Sequence, residues 1–163
     1  KFHGVELKGR RILLLGAGGA ARGALGPLFA EMPSEIVIAN RTTEKAAYLA
    51  QQFAALCAVC AVAYDDLLGH FDVIINSTSA SLAGAIPPVP EQLIHSELTV
   101  YDMMYGVAET PFNAWARQLG AHKIIDGLGM LVAQAAESFA VWRGIRPGTK
   151  QVINELRRNM GMR

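Results

Sequence analysis

The feature that most constrains this chain is an apolar run that stops at a glycine-rich turn and resumes as a helix. Arg11–Leu15 is followed directly by Gly16-Ala17-Gly18-Gly19-Ala20-Ala21-Arg22. The turn fits G-x-G-x-x-A, with Ala21 where a third small residue packs helix against strand. Gly16 permits a tight turn, and Gly18 leaves room for a ligand to approach the backbone. The amides of Gly19, Ala20 and Ala21 then open a helix without intrahelical partners, at the positive end of its dipole. Such an end receives the pyrophosphate of a dinucleotide. Glycine turns also arise for steric reasons alone, so the surrounding elements must carry the argument.

Those elements alternate along the chain. Strands are expected at Arg11–Leu15, Glu35–Ala39, Ala58–Ala63, Asp72–Asn76, Leu98–Met103 and Lys123–Asp126. Helices are expected at Gly19–Glu31, Thr43–Phe53, Pro111–Leu119, Met130–Arg143 and Gln151–Met160, with Thr42 or Thr43 capping the second. Strand–helix alternation implies right-handed crossovers and a parallel sheet. The expectation is a doubly wound α/β fold: a six-stranded Rossmann sheet of order 3-2-1-4-5-6, helices on both faces, and a crevice between strands 1 and 4. One domain spans residues 1–163, and Ser77–Pro90 is its long irregular stretch.

Composition excludes other classes. The chain is 52% hydrophobic and 18% charged with a net charge of +1, which is neither disordered nor basic enough for a nucleic-acid binder. The apolar stretches at Ile12–Ala21 and Ala54–Tyr64 are too short to span a bilayer. Cys57 and Cys60 form a C-x2-C pair, but on a strand the two side chains point to opposite faces. They are expected as buried free thiols in a cytoplasmic protein, with no metal site. The chain opens at Lys1 rather than Met, so a segment of something longer is expected.

The end of the second strand selects the dinucleotide. Asn40-Arg41-Thr42-Thr43-Glu44-Lys45 begins 24 residues after Gly16, where a carboxylate would mark NAD. Arg41, Thr42 and Lys45 instead suit the 2′-phosphate of NADP. A solvated, capped helix start is the alternative. Asn76-Ser77-Thr78-Ser79, Asp102-Met103-Met104-Tyr105 and Asp126-Gly127-Leu128-Gly129-Met130 leave strands 4, 5 and 6 at the same sheet edge. Carbonyl reduction also needs a proton donor, and none is well placed. Tyr105 lacks a lysine at helical spacing, Lys123 begins its strand at the far edge, and His70 and His122 are poorly positioned.

These segments, together with Tyr101, Thr110-Pro111-Phe112 and the run Asp126–Ala136, resemble the C-terminal, NADP-binding part of shikimate dehydrogenase over essentially the whole chain. The resemblance implies NADPH-dependent reduction of 3-dehydroshikimate to shikimate on the route to aromatic amino acids. It implies that Gly16, Ala17, Gly18, Gly19 and Ala20 hold the pyrophosphate, that Asn40, Arg41, Thr42 and Lys45 grip the 2′-phosphate, and that Ser77 and Thr78 lie at the cofactor. It places Met103, Gly127 and Met130 around the nicotinamide, and Tyr105 and Gln134 against the substrate. The family's catalytic Lys and Asp belong to an amino-terminal substrate domain, and no residue here matches them. Ser81 stands where the family usually has glycine, which puts the contacts of Ser77–Ser81 in question. A quinate-accepting paralogue and a non-catalytic NADPH sensor are the competing readings, and a homodimer is left open. Another two-domain enzyme, such as glutamyl-tRNA reductase, is disfavoured by the last run and Gln134.

Overall fold

Short, nearly continuous apolar runs build the sheet. In the computed structural model, which describes residues 3–55 and 58–161, the strands are β1 (Arg11–Leu15), β2 (Glu35–Ala39), β3 (Val59–Val62), β4 (Val73–Asn76), β5 (Thr99–Asp102) and β6 (Lys123–Ile125). The helices are α1 (Gly19–Ala30), α2 (Thr43–Phe53), α3 (Pro111–Gln118), α4 (Leu128–Arg143) and α5 (Lys150–Asn159). All strand pairs are parallel, in the order β3-β2-β1-β4-β5-β6. This is the expected Rossmann-like arrangement.

Alternating side chains divide the interior in two. Leu13, Leu15, Val37, Ile74 and Val100 face a layer that includes Phe71, Phe112 and Ala116. Ile12, Leu14, Ile36, Ile38 and Ile75 face Ala21, Leu25, Ala46 and Leu49. β1 is paired on both sides and covered on both faces, so Ile12 to Leu15 are fully buried. Its register sets Leu15 beside Ala39 and Asn76, and Asn76 beside Asp102, so four strands end level with one another. That shared edge carries the site.

One expectation needs correction. Cys60 is exposed rather than buried, because β3 is an edge strand with β2 as its single neighbour; Cys57 lies outside the described residues. Desolvation and the neighbouring Glu35 carboxylate push the Cys60 thiol up, so it stays protonated. Thr42 occupies the N-cap of α2 as expected, though its side chain makes no cap bond. Its carbonyl instead accepts from Asn40 Nδ2 at 2.9 Å.

Element ends shift by a residue or two elsewhere. α4 starts at Leu128, two residues before the expected Met130, because Asp126 Oδ1 accepts from the Leu128 amide at 3.1 Å. α1 runs through Pro27 and is followed by Met32 at φ 55°. α5 buries Ile153, half-buries Leu156, and joins Arg157 to Asp126 through two bonds of 2.9 and 3.0 Å.

Candidate functional site

The glycine turn is shaped by what touches it. Gly16 has φ +104°, and a Cβ there would stand 2.7 Å from Ser77 Oγ and 3.2 Å from Thr78 Cγ2. Ser77 donates from both its amide and its hydroxyl to the Leu15 carbonyl, at 2.9 and 2.6 Å. The loops after β1 and β4 are therefore stitched together, and only glycine fits at position 16. Gly18 precedes α1 without any side-chain cap, so the first amides of α1 are left to the cleft.

That cleft encloses about 740 Å³ and is lined by Gly16, Ala17, Gly18, Gly19, Ala20, Asn40, Arg41, Ser77 and Thr78. Tyr64, Ser79, Ala80 and the Pro87-Pro88 stretch complete its far wall. Arg41 is exposed and has no carboxylate partner among the described residues. Thr42 is exposed beside it. Lys45 falls across the glycine turn in a neighbouring groove, with Ala17, Gly18, Gly19, Arg22 and Tyr48. A cationic rim thus flanks both sides of the turn.

The second end of the site is assembled from β5, β6 and α4. A Cβ on Gly127 would lie 1.9 Å from the Met103 carbonyl oxygen, and the Gly127 amide donates to Met104 O at 3.0 Å. Met103 is half-buried, while Tyr105, Met130 and Gln134 are exposed. Met130 and Gln134 stand one turn apart on α4. None of these five residues lines the glycine-turn cleft itself. Tyr101 is pushed up to about 12, first by desolvation and then by the Asp126 and Asp102 carboxylates. It is a poor proton donor near neutrality.

Between these two ends lies Asp102, fully buried at the tip of β5. Its Oδ1 accepts from Asn76 Nδ2 at 3.2 Å and from the Met104 amide at 3.1 Å. Its Oδ2 accepts from the hydroxyls of Ser81 and Thr110, both at 2.7 Å. Asn76 Oδ1 in turn accepts from the Thr78 amide and hydroxyl, at 3.1 and 2.7 Å. The segment Asp102–Tyr105 is legible as a polar strand end, but the carboxylate's role as a junction is not. The available signal was a lone Asp closing an apolar strand.

The cleft lining contains no lysine, histidine or carboxylate. Lys123 reaches the opposite edge, where its Nζ donates to Gly4 O at 3.1 Å. His70 stacks on His95 with ring centroids 4.1 Å apart, and His95 Nε2 lies 3.0 Å from Phe71 O. Among the described residues, no group of three or more His, Cys, Asp or Glu could hold a metal ion. No described helix is long and apolar enough to cross a membrane.

Residues 1–85 match the family model described as Shikimate / quinate 5-dehydrogenase. The chain belongs to that family. Residues 127–157 also match the model of the shikimate 5'-dehydrogenase C-terminal domain. Among curated family members, the shikimate dehydrogenase (NADP(+)) of Aeromonas hydrophila subsp. hydrophila is 65% identical over 161 residues, covering 99% of this chain and 59% of that protein. That of Psychromonas ingrahamii is 59% identical over 160 residues, covering 98% and 59%. The chain therefore spans about three-fifths of these shikimate dehydrogenases.

Solved structures agree. An Ael1 enzyme from Pseudomonas putida superposes with a TM-score of 0.87 at 48% identity, covering 94% of this chain and 56% of that one. The shikimate 5-dehydrogenase of Thermus thermophilus, solved in complex with shikimate, gives 0.78 at 30% identity, covering 98% and 57%.

Proposed function

We propose that this chain is the cofactor-binding half of an NADP-dependent shikimate dehydrogenase, which reduces 3-dehydroshikimate to shikimate on the route to aromatic amino acids. The observation that carries the reading is the cleft between β1 and β4, where nine of the expected cofactor residues meet around an uncapped helix end. The donor set suits the group: backbone amides at Gly18, Gly19 and Ala20 for a diphosphate, and Arg41, Thr42 and Lys45 for a 2′-phosphate. Ser77 and Thr78 form the wall beside the nicotinamide ribose. Met103, Gly127 and Met130 line the nicotinamide, and Tyr105 and Gln134 reach the substrate.

NADPH bound there supplies the hydride. The chain's own residues would hold and orient it, while the proton would come from a Lys–Asp pair on an amino-terminal substrate domain. The absence of a Lys or His from the cleft lining supports that division of labour. So does the apolar surface at Phe139, Val141, Trp142 and Ile145, which is suited to packing against another domain. The unpaired Cys60 suits a reducing, cytoplasmic setting.

Fluorescence titration of the chain with NADPH and NADH tests the cofactor reading. Tighter NADPH binding is expected, and equal affinities would overturn the 2′-phosphate assignment.

A further inference from the structure

Burying a carboxylate is costly unless its oxygens are fully satisfied. Asp102 is fully buried, faces no cation among the described residues, and is satisfied by four donors instead. Those donors come from four different places. Asn76 ends β4, Ser81 belongs to the helical turn over Ala80–Ala83, Met104 follows β5, and Thr110 caps α3 by accepting from the Asn113 amide.

The segment Ser77–Ala80, a wall of the glycine-turn cleft, is held from behind at both ends. Asn76 fixes Thr78 on one side, and Ser81 anchors the other side to Asp102. The same carboxylate fixes Met104, whose carbonyl accepts from Gly127. The end of β2 with Arg41, by contrast, has no hydrogen bond to Asp102.

We propose that Asp102 is a positioning residue that, through Ser81 and Asn76, sets the cleft wall for the diphosphate–nicotinamide half of the cofactor and leaves the 2′-phosphate half independent. This rests on the NADP reading above. Ser81 is then the donor that ties the outer end of the wall to the sheet. Asn at position 102 preserves the junction: its carbonyl faces Asn76 and Met104, and its amide donates to the hydroxyl oxygens of Ser81 and Thr110.

The test compares two ligands on the same chain: NADPH, and adenosine 2′,5′-bisphosphate, which carries only the half bound near Arg41. Asp102→Ala should weaken NADPH at least tenfold and leave the bisphosphate within about twofold, since an unmet hydrogen-bond set is worth roughly that factor or more. Asp102→Asn should restore most of the NADPH affinity. Ser81→Ala removes one of the four donors at a half-buried position, so it keeps the contrast measurable even where Asp102→Ala does not fold. It should weaken NADPH roughly threefold to tenfold with the bisphosphate unchanged.

Equal weakening of both ligands, or no weakening of NADPH by Ser81→Ala, overturns the proposal. Wild-type chain that binds neither ligand overturns the NADP reading itself. Wild-type binding with no contrast among the variants overturns only the role of Asp102.

Discussion

Two glycines show how differently a single residue can be constrained. Gly16 is legible from the motif, and its φ of +104° and the nearby Ser77 hydroxyl give two reasons for it. Gly127 has an ordinary φ of −79°, so conformation does not demand glycine there. Its constraint is contact: the Met103 carbonyl oxygen lies where a Cβ would be. No sequence pattern announces a close approach between residues 24 positions apart. Gly127→Ala should force the start of α4 away from β5 and cost about 3 kcal/mol, measurable by urea unfolding. Arg41→Ala should weaken NADPH by about 1.5–3 kcal/mol while leaving NADH nearly unchanged, because it removes a charge-assisted bond to a group NADH lacks. Paired fluorescence titrations read that difference directly.

At the scale of elements, strands and helices are legible because short apolar runs alternate with longer segments bounded by glycine, proline and capping residues. Their exact ends are not, because side chains from elsewhere in the chain set them. Asp126 shows this: one oxygen accepts from the Leu128 amide and starts α4 early, while both oxygens receive Arg157 from α5. A pair 31 residues apart thus clamps the last helix against the end of β6. Arg157→Ala should release α5 and speed amide exchange across residues 150–159 at least tenfold, leaving β1 and β4 protected. Hydrogen exchange followed by mass spectrometry resolves the two regions. The edge strand β3 teaches the same lesson, since Cys60 lies in an apolar run yet faces solvent. Hydrophobicity marks a strand, but its place in the sheet order decides its burial.

For the whole molecule, one ion-paired junction links stability to pH. Desolvation pushes the Asp72 carboxyl up, but the Arg11 amide at 2.8 Å and the Arg10 guanidinium at 2.9 Å outweigh it and hold it below its ordinary value of 3.8. A depressed folded value means the contribution is complete above the unfolded value and is lost as pH falls through the folded one. Asp72→Asn should therefore be less stable than wild type at neutral pH, and the gap should close only below about pH 3.8, as thermal melts across pH would show. The chain alone should also fail to oxidise shikimate with NADP, as a spectrophotometric assay would read; turnover would mean that a proton donor lies within it. The sequence by itself determined the alternation of strands and helices, the glycine turn and the cationic end of β2, because apolar runs and backbone freedom are written in neighbouring residues. Only the tertiary structure decided that Asp102 joins four segments, that Gly127 abuts Met103, and that Cys60 lies outside. Those outcomes depend on which distant groups share one sheet edge, and pairing between strands, rather than any local pattern, brings them there.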